Sequence, residues 1–110
     1  MQTEARIQQE CFLWFHNNHP HLRGLLFQVN NNSNDKVKGA IQKALGRVAG
    51  VSDMIFLSPK NGAVMLEFKT PTGKQSKNQK IWEKKVKEFN YSYYLVNSLE
   101  LFKTIIISQL

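Results

Sequence analysis

The chain has 110 residues, 42% hydrophobic and 21% charged, an ordinary globular balance that suits a single domain spanning 1–110 and leaves no room for a second. No apolar run approaches the ~20 residues of a membrane span, the opening MQTEARIQQE lacks the parts of a secretion signal, and Cys11, the only cysteine, excludes an internal disulfide and a cysteine-based zinc site. Fifteen Lys and Arg against eight Asp and Glu give a formal charge of +7; the expectation is a cytoplasmic protein, with no membrane partner and either a polyanionic partner or simply a lysine-rich soluble surface.

In chain order, residues 3–18 show helical spacing, with Ile7, Cys11, Trp14 and Phe15 on one side, and Asn17, Asn18 and Pro20 ending the helix. His16, His19 and His21 follow closely, but Pro20 breaks any i,i+4 ligand geometry, so an exposed helix exit is the expectation. LLFQV (25–29) reads as a short strand and NNNSND (30–35) as a polar loop. Residues 36–46 place Val37, Ala40, Ile41, Ala44 and Leu45 at helical spacing, weakened by Gly39 and ended at Gly46 or Gly50. Two strands, 53–58 and 64–69, flank a turn holding Pro59, Asn61 and Gly62. A TPTGK loop (70–74) leads to a helix at 76–89, a strand at 92–96 and a last helix at 98–109, where IIIS also fits a strand. The order α-β-α-β-β-α-β-α predicts an α/β fold, a mixed sheet with helices on its faces.

Chemistry concentrates between 50 and 82. Strand alternation puts Glu67 and Lys69 on one face, about 7 Å apart. Asp53 joins them only in certain registers: pairing Ser58 with Val64 sets Asp53 opposite Lys69 and diagonal to Glu67, so a five- or three-residue loop is favoured over four. Two carboxylates and a lysine suit a Mg²⁺ or Mn²⁺ ion acting on a phosphodiester, because hard cations take oxygen ligands and activate water for attack. A lysine there offsets developing negative charge. The same residues also fit an exposed ion pair beside a polar strand start.

Gln79 completes a capping box with Ser76 and equally suits a polar contact to a metal or phosphate. Trp82, Val86 and Phe89 form a stripe expected in the core. Lys74, Lys77 and Lys80 flank the site as phosphate contacts, with Lys36 and Lys38 in a second basic segment beside Lys43 and Arg47. Cys11, among apolar residues, is expected to be buried and inert. Tyr91, Tyr93 and Tyr94 could stack on bases, although their strand position points to core or sheet edge.

GVSD (50–53) and MLEFKTPTGKQSKNQKIW (65–82) resemble the VRR-NUC family, the virus-type replication-repair nucleases of the PD-(D/E)xK superfamily. That family reads roughly Gly-x-Pro-Asp, Glu-x-Lys, a Gly-Lys/Arg loop, then Ser-x-x-Gln and an aromatic. Glu4-Ala5-Arg6-Ile7-Gln8 resembles its opening helix, and the strand at 27–30 followed by an Asn-rich loop and small helix also agrees. The resemblance implies a restriction-endonuclease-like fold. It implies Asp53, Glu67 and the Phe68 carbonyl as metal ligands, Lys69 acting on the water, Gln79 as the helix glutamine, and Glu4 as an added acid. Ser52 departs from the usual proline. Glu10 competes with Glu4, but six residues turn it roughly 120° away on the helix.

The resemblance further implies a Mg²⁺- or Mn²⁺-dependent DNA endonuclease, similar to junction-resolving homodimers that cut branched DNA, in the setting of a virus or mobile element. The 91–110 segment is a candidate for the dimer's apolar patch. The other class is a basic DNA-binding module without a competent site; a nuclease acting on RNA or plain duplex would share the site and differ in substrate.

Overall fold

The computed structural model describes residues 2–29 and 36–110, and in helix α2 the side chains from Lys38 onward. The Asn-rich loop 30–35 and the Lys36 side chain lie outside the described residues. The elements are α1 (Glu4–Asn18), a 3₁₀ turn (Pro20–Leu22), β1 (Leu26–Gln28), α2 (Lys36–Ala44), β2 (Met54–Ser58), β3 (Gly62–Phe68), α3 (Lys77–Glu88), β4 (Ser92–Val96) and α4 (Leu99–Ser108). This is the expected α/β order, with IIIS in the final helix rather than a strand. Ser98 caps that helix, its hydroxyl accepting from the Leu101 N–H, and the apolar residues follow the helical period, burying Phe102, Ile105 and Ile106 together.

The four strands lie in the order β1-β2-β3-β4. β1 and β2 pair antiparallel, as do β2 and β3, while β3 and β4 run parallel with α3 as their crossover. One face packs on α1 and α4. Leu26, Met54, Phe56, Val64, Leu66, Phe68 and Val96 meet Ile7, Cys11, Phe15, Phe102, Ile105 and Ile106 in one continuous core. Ring contacts tie the layers: Phe15 meets Phe56 edge-on at 5.4 Å, and Phe68 lies 6.1 Å from Phe102. Cys11 is fully enclosed there, and burial, with a smaller push from Glu10, raises its thiol to about 12, far from the thiolate that redox chemistry needs.

The opposite face is covered in part by α3, through Trp82 against Tyr93. The expected core stripe on α3 is only partly enclosed. Trp82 and Val86 are half-buried, but Phe89 is 65% exposed. It sits at the helix C-cap with φ −100° and ψ 18°, where the backbone leaves the helical path and carries the ring off the stripe. Helix α2 likewise buries none of its described apolar side chains: Ile41 is exposed, as is Leu45 just past the helix end.

The β2–β3 register differs from the Ser58–Val64 pairing. Ser58 pairs with Gly62 across a three-residue turn, so β3 starts two residues before 64. The Ser58 hydroxyl accepts from the Lys60 and Asn61 N–H groups and donates to the Gln109 carbonyl, while the Asn61 side chain donates to Gln109 Oε1. Gly62, at φ +72°, closes the turn in the left-handed region. Met54 then faces Leu66, and one step further Asp53 comes level with Glu67 rather than Lys69. The three-residue turn keeps the parity that sends both carboxylates to one face.

Candidate active site

The site forms where β2 stops short of the end of β3. Asp53 lies in the bend just before β2, and its carboxylate takes over where a strand partner would stand: Oδ2 accepts from the Phe68 N–H at 2.7 Å. Its carbonyl accepts from Val29 N–H at 2.8 Å, anchoring the bend to the end of β1. Ser52 is fully buried and its hydroxyl donates to the Met54 carbonyl. That bond fixes the bend by other means than the ring of the proline usual in the resembling family. Because a strand residue sends its N–H and C=O to the same edge, the Phe68 carbonyl faces the same end as Asp53.

Glu67, on the central strand, is fully buried. Tyr93 O–H donates to its Oε1. Its Oε2 accepts no hydrogen bond, the one such buried side-chain atom among the described residues; the Lys69 ammonium stands 3.9 Å away. Lys69, at 12% side-chain exposure, also lies 3.7 Å from Glu4 Oε1 and so bridges helix α1 to the strand. Glu4 occupies the first turn of α1, where the helix dipole favours an acid. Glu10 is engaged elsewhere, accepting from Gln2 and pairing with Arg6.

Both strand acids are pushed above the ordinary carboxylate range. For Asp53 the main cause is burial, opposed by the Phe68 N–H and Lys69 and aided by Glu4. For Glu67 burial again leads, opposed by the Tyr93 hydroxyl and Lys69 and aided by Asp53. Desolvated carboxylates, each raised further by a neighbouring acid, are the arrangement that a bound cation relieves.

A polar cleft of about 540 Å³ opens over these groups, lined by Glu4, Asp53, Lys69 and Gln79 together with Lys43 and Arg47. Glu67 lies behind this wall. Gln79 makes the full capping box: its Oε1 accepts from Ser76 N–H at 2.7 Å, and the Ser76 hydroxyl accepts from Gln79 N–H. Since Ser76 N–H can only donate, the cap fixes the amide's orientation and leaves its NH₂ group as a donor at the cleft.

The basic residues divide. Lys74 and Lys80 line a smaller neighbouring hollow with Lys69, and Lys38 and Lys77 are exposed outside both. Lys43 and Arg47, not among the phosphate contacts expected from sequence, stand in the main cleft. Helix α2 ends in a Schellman motif, with Arg47 N–H bonded to the Gln42 carbonyl and Gly46 N–H to that of Lys43. Gly46, at φ +104°, turns the chain so that Arg47 comes to the cleft. The signal that could have found the pair was present, a basic run ending at Gly46, but nothing in the sequence brings α2 next to Asp53.

Among the described residues no three His, Cys, Asp or Glu side chains converge into a ready-made metal cluster. The donor set nonetheless fits one hard divalent cation. Asp53 has an oxygen beyond the one held by Phe68, Glu67 has an orphaned oxygen, and a cation of this kind needs one or two carboxylates with water and phosphate completing the shell. The three histidines gather differently: the His19 ring packs edge-on to Trp14 and against Phe15, with His21 beside it.

No curated protein matches this chain. The structure is similar to a solved structure described as a VRR_NUC domain protein, with a TM-score of 0.83, 16% identity, and coverage of 100% of this chain and 89% of that one. The likeness at that identity concerns the fold, a mixed four-stranded sheet flanked by helices. In sequence, the VRR-NUC domain family matches residues 2–100, the span that holds Glu4, Asp53, Glu67, Lys69 and Gln79. The chain therefore belongs to the VRR-NUC domain family and is a nuclease domain of the PD-(D/E)xK type.

Proposed function

We propose that the protein is a Mg²⁺- or Mn²⁺-dependent DNA endonuclease that works as a homodimer in the cytoplasm and prefers branched DNA. The observation that carries this reading is the buried Glu67 with one unserved oxygen, 3.9 Å from the ammonium of Lys69, which lines the cleft together with Asp53. Asp53, Glu67 and the Phe68 carbonyl would hold the cation, with Glu4 adding an oxygen from α1. When bound, a divalent cation polarises the phosphodiester and activates water for in-line attack.

The chain's own groups do the rest. Lys69, between Glu4 and Glu67, favours the ionised carboxylates and offsets charge that builds on the phosphate. The Gln79 amide offers a donor to a non-bridging oxygen. Arg47 is half-buried and makes no side-chain ion pair or hydrogen bond with the described residues, so its planar fork is free for a phosphate. Lys38, Lys74, Lys77 and Lys80 extend the track outward along the backbone. Arg47→Ala is expected to weaken duplex and junction binding alike and to lower the salt slope of binding by about one, measured by fluorescence anisotropy in EDTA; unchanged affinity would remove Arg47 from the track.

Two groups of the exposed apolar residues are candidates for a dimer surface. Tyr91, Leu95, Leu101, Ile107 and Leu110 lie in the 91–110 segment, and Ile41, Leu45 and Val48 on or after α2. Incubating a labelled four-way junction and a matched linear duplex with Mn²⁺ tests the substrate, and light scattering tests the dimer. Symmetric cuts in the junction alone, from a species twice the chain mass, support the reading. Cuts in both substrates leave a nuclease without structural selectivity, and binding without cuts in either supports the DNA-binding module instead.

A further inference from the structure

We propose that Tyr93 is a positioning residue for Glu67, occupying one carboxylate oxygen so that the other alone is offered to a divalent cation. The inference rests on the metal-dependent reading above. In the parallel ladder Glu67 stands opposite Leu95 and Met65 opposite Tyr93, so Tyr93 is the diagonal neighbour of Glu67 on the same sheet face, within reach of a long aromatic side chain. Tyr93 is 7% exposed and its hydroxyl donates to Glu67 Oε1.

The direction of that hydrogen bond is fixed from behind. The Gln75 amide nitrogen lies 3.4 Å from the Tyr93 oxygen and 3.0 Å from Glu83 Oε1. Glu83 Oε2 is in turn 2.7 Å from the Lys87 ammonium. With its oxygen accepting from Gln75, the hydroxyl aims its proton at Glu67. The chain of contacts runs from the surface of α3 through the loop before it to the strand acid.

A purely structural carboxylate in this place would have both oxygens served, since a buried oxygen without a partner leaves its lost hydration uncompensated. Here Oε1 is served and Oε2 is not. A phenylalanine would fill the same space. The hydroxyl's one distinguishable act is to hold Oε1, which sets the carboxylate's rotation and makes Glu67 a one-oxygen ligand. Groups that orient a metal ligand from behind commonly govern affinity by 10- to 100-fold.

The test is calorimetric titration of Mn²⁺ into the full chain without DNA, for wild type, Tyr93→Phe and Gln75→Ala. Tyr93→Phe is expected to bind Mn²⁺ about 10- to 100-fold more weakly, and its cleavage rate to recover at saturating Mn²⁺. Gln75→Ala, which leaves the phenol but removes the amide that faces the Tyr93 hydroxyl and also favours the ionised Glu67, is expected to weaken Mn²⁺ binding by a smaller factor and keeps the test usable if Tyr93→Phe fails to fold. Wild-type Mn²⁺ affinity in the folded variants, whatever their melting temperatures, would overturn the proposal while leaving the nuclease reading intact. Absence of Mn²⁺ binding and of cleavage in the wild type would instead overturn the reading on which it rests.

Discussion

Glu67→Gln is expected to abolish Mn²⁺-dependent cleavage while raising the melting temperature at neutral pH. Glutamine keeps the oxygen that Tyr93 serves and removes the charge that the interior solvates poorly. Loss of a metal ligand forfeits several kcal/mol of transition-state stabilisation, a fall in rate of roughly 10³-fold or more. The stability gain follows from linkage. Burial first, then the Asp53 charge, hold the Glu67 carboxyl above its ordinary value against the Tyr93 hydroxyl, Lys69 and Gln75. The folded chain therefore binds that proton more tightly than the unfolded chain does. The stability tied to it is complete below the unfolded value, about pH 4, and is lost as pH rises through the folded one. Removal of the buried charge is worth about 1 kcal/mol, or ~5 °C for a domain of this size. Thermal unfolding without metal should show the variant above wild type at pH 7.5 and the two converging below about pH 4. A variant less stable than wild type at pH 7.5 would mean that Glu67 is a structural ion-pair member rather than a carboxylate kept for a ligand.

Gly50→Ala is expected to cost about 3 kcal/mol of stability and to lower cleavage roughly 100-fold. Gly50 adopts φ +83°, and a Cβ there would stand 2.3 Å from the Asn78 carbonyl oxygen and 2.8 Å from the Gln79 nitrogen. At this contact the segment leading to Asp53 touches the first turn of α3. The added carbon must push the helix start, and with it Gln79, away from Asp53. Gly46→Ala separates the two effects: Gly46 is also left-handed, at φ +104°, but a Cβ there meets nothing within 4 Å. It should cost only about 1 kcal/mol from backbone strain. Denaturant unfolding of both variants measures the difference, and equal costs would show that the Gly50 contact has slack.

Much of the fold was legible because its signals are local. The Ser76 cap, the alternation in the strands and the Gly62 turn each act within a few residues, and the elements follow them. Asp53, Lys69, Glu4 and Gln79 were legible as a set through the resemblance to the VRR-NUC motifs, and the structure brings all four to one cleft. What stayed hidden depends on contacts across the chain. The Ser58–Gly62 register is set partly by Gln109, far along the sequence, which holds the turn from α4. Tyr93 could not be tied to Glu67 without the parallel β3–β4 pairing. Arg47 needed the path of the chain after Gly46. The α3 stripe misled because helical periodicity does not say where the helix unwinds, and Phe89 lies past that point.

Strand cleavage is the most direct test. A labelled four-way junction would be incubated with wild type and Glu67→Gln in Mn²⁺ and in EDTA, with binding followed in parallel. Cutting by wild type only with Mn²⁺, and none by a variant that binds the junction equally, is the predicted result. Wild type that binds but never cuts, or Glu67→Gln that cuts as well as wild type, would contradict the assignment of this cleft as a metal-dependent nuclease site.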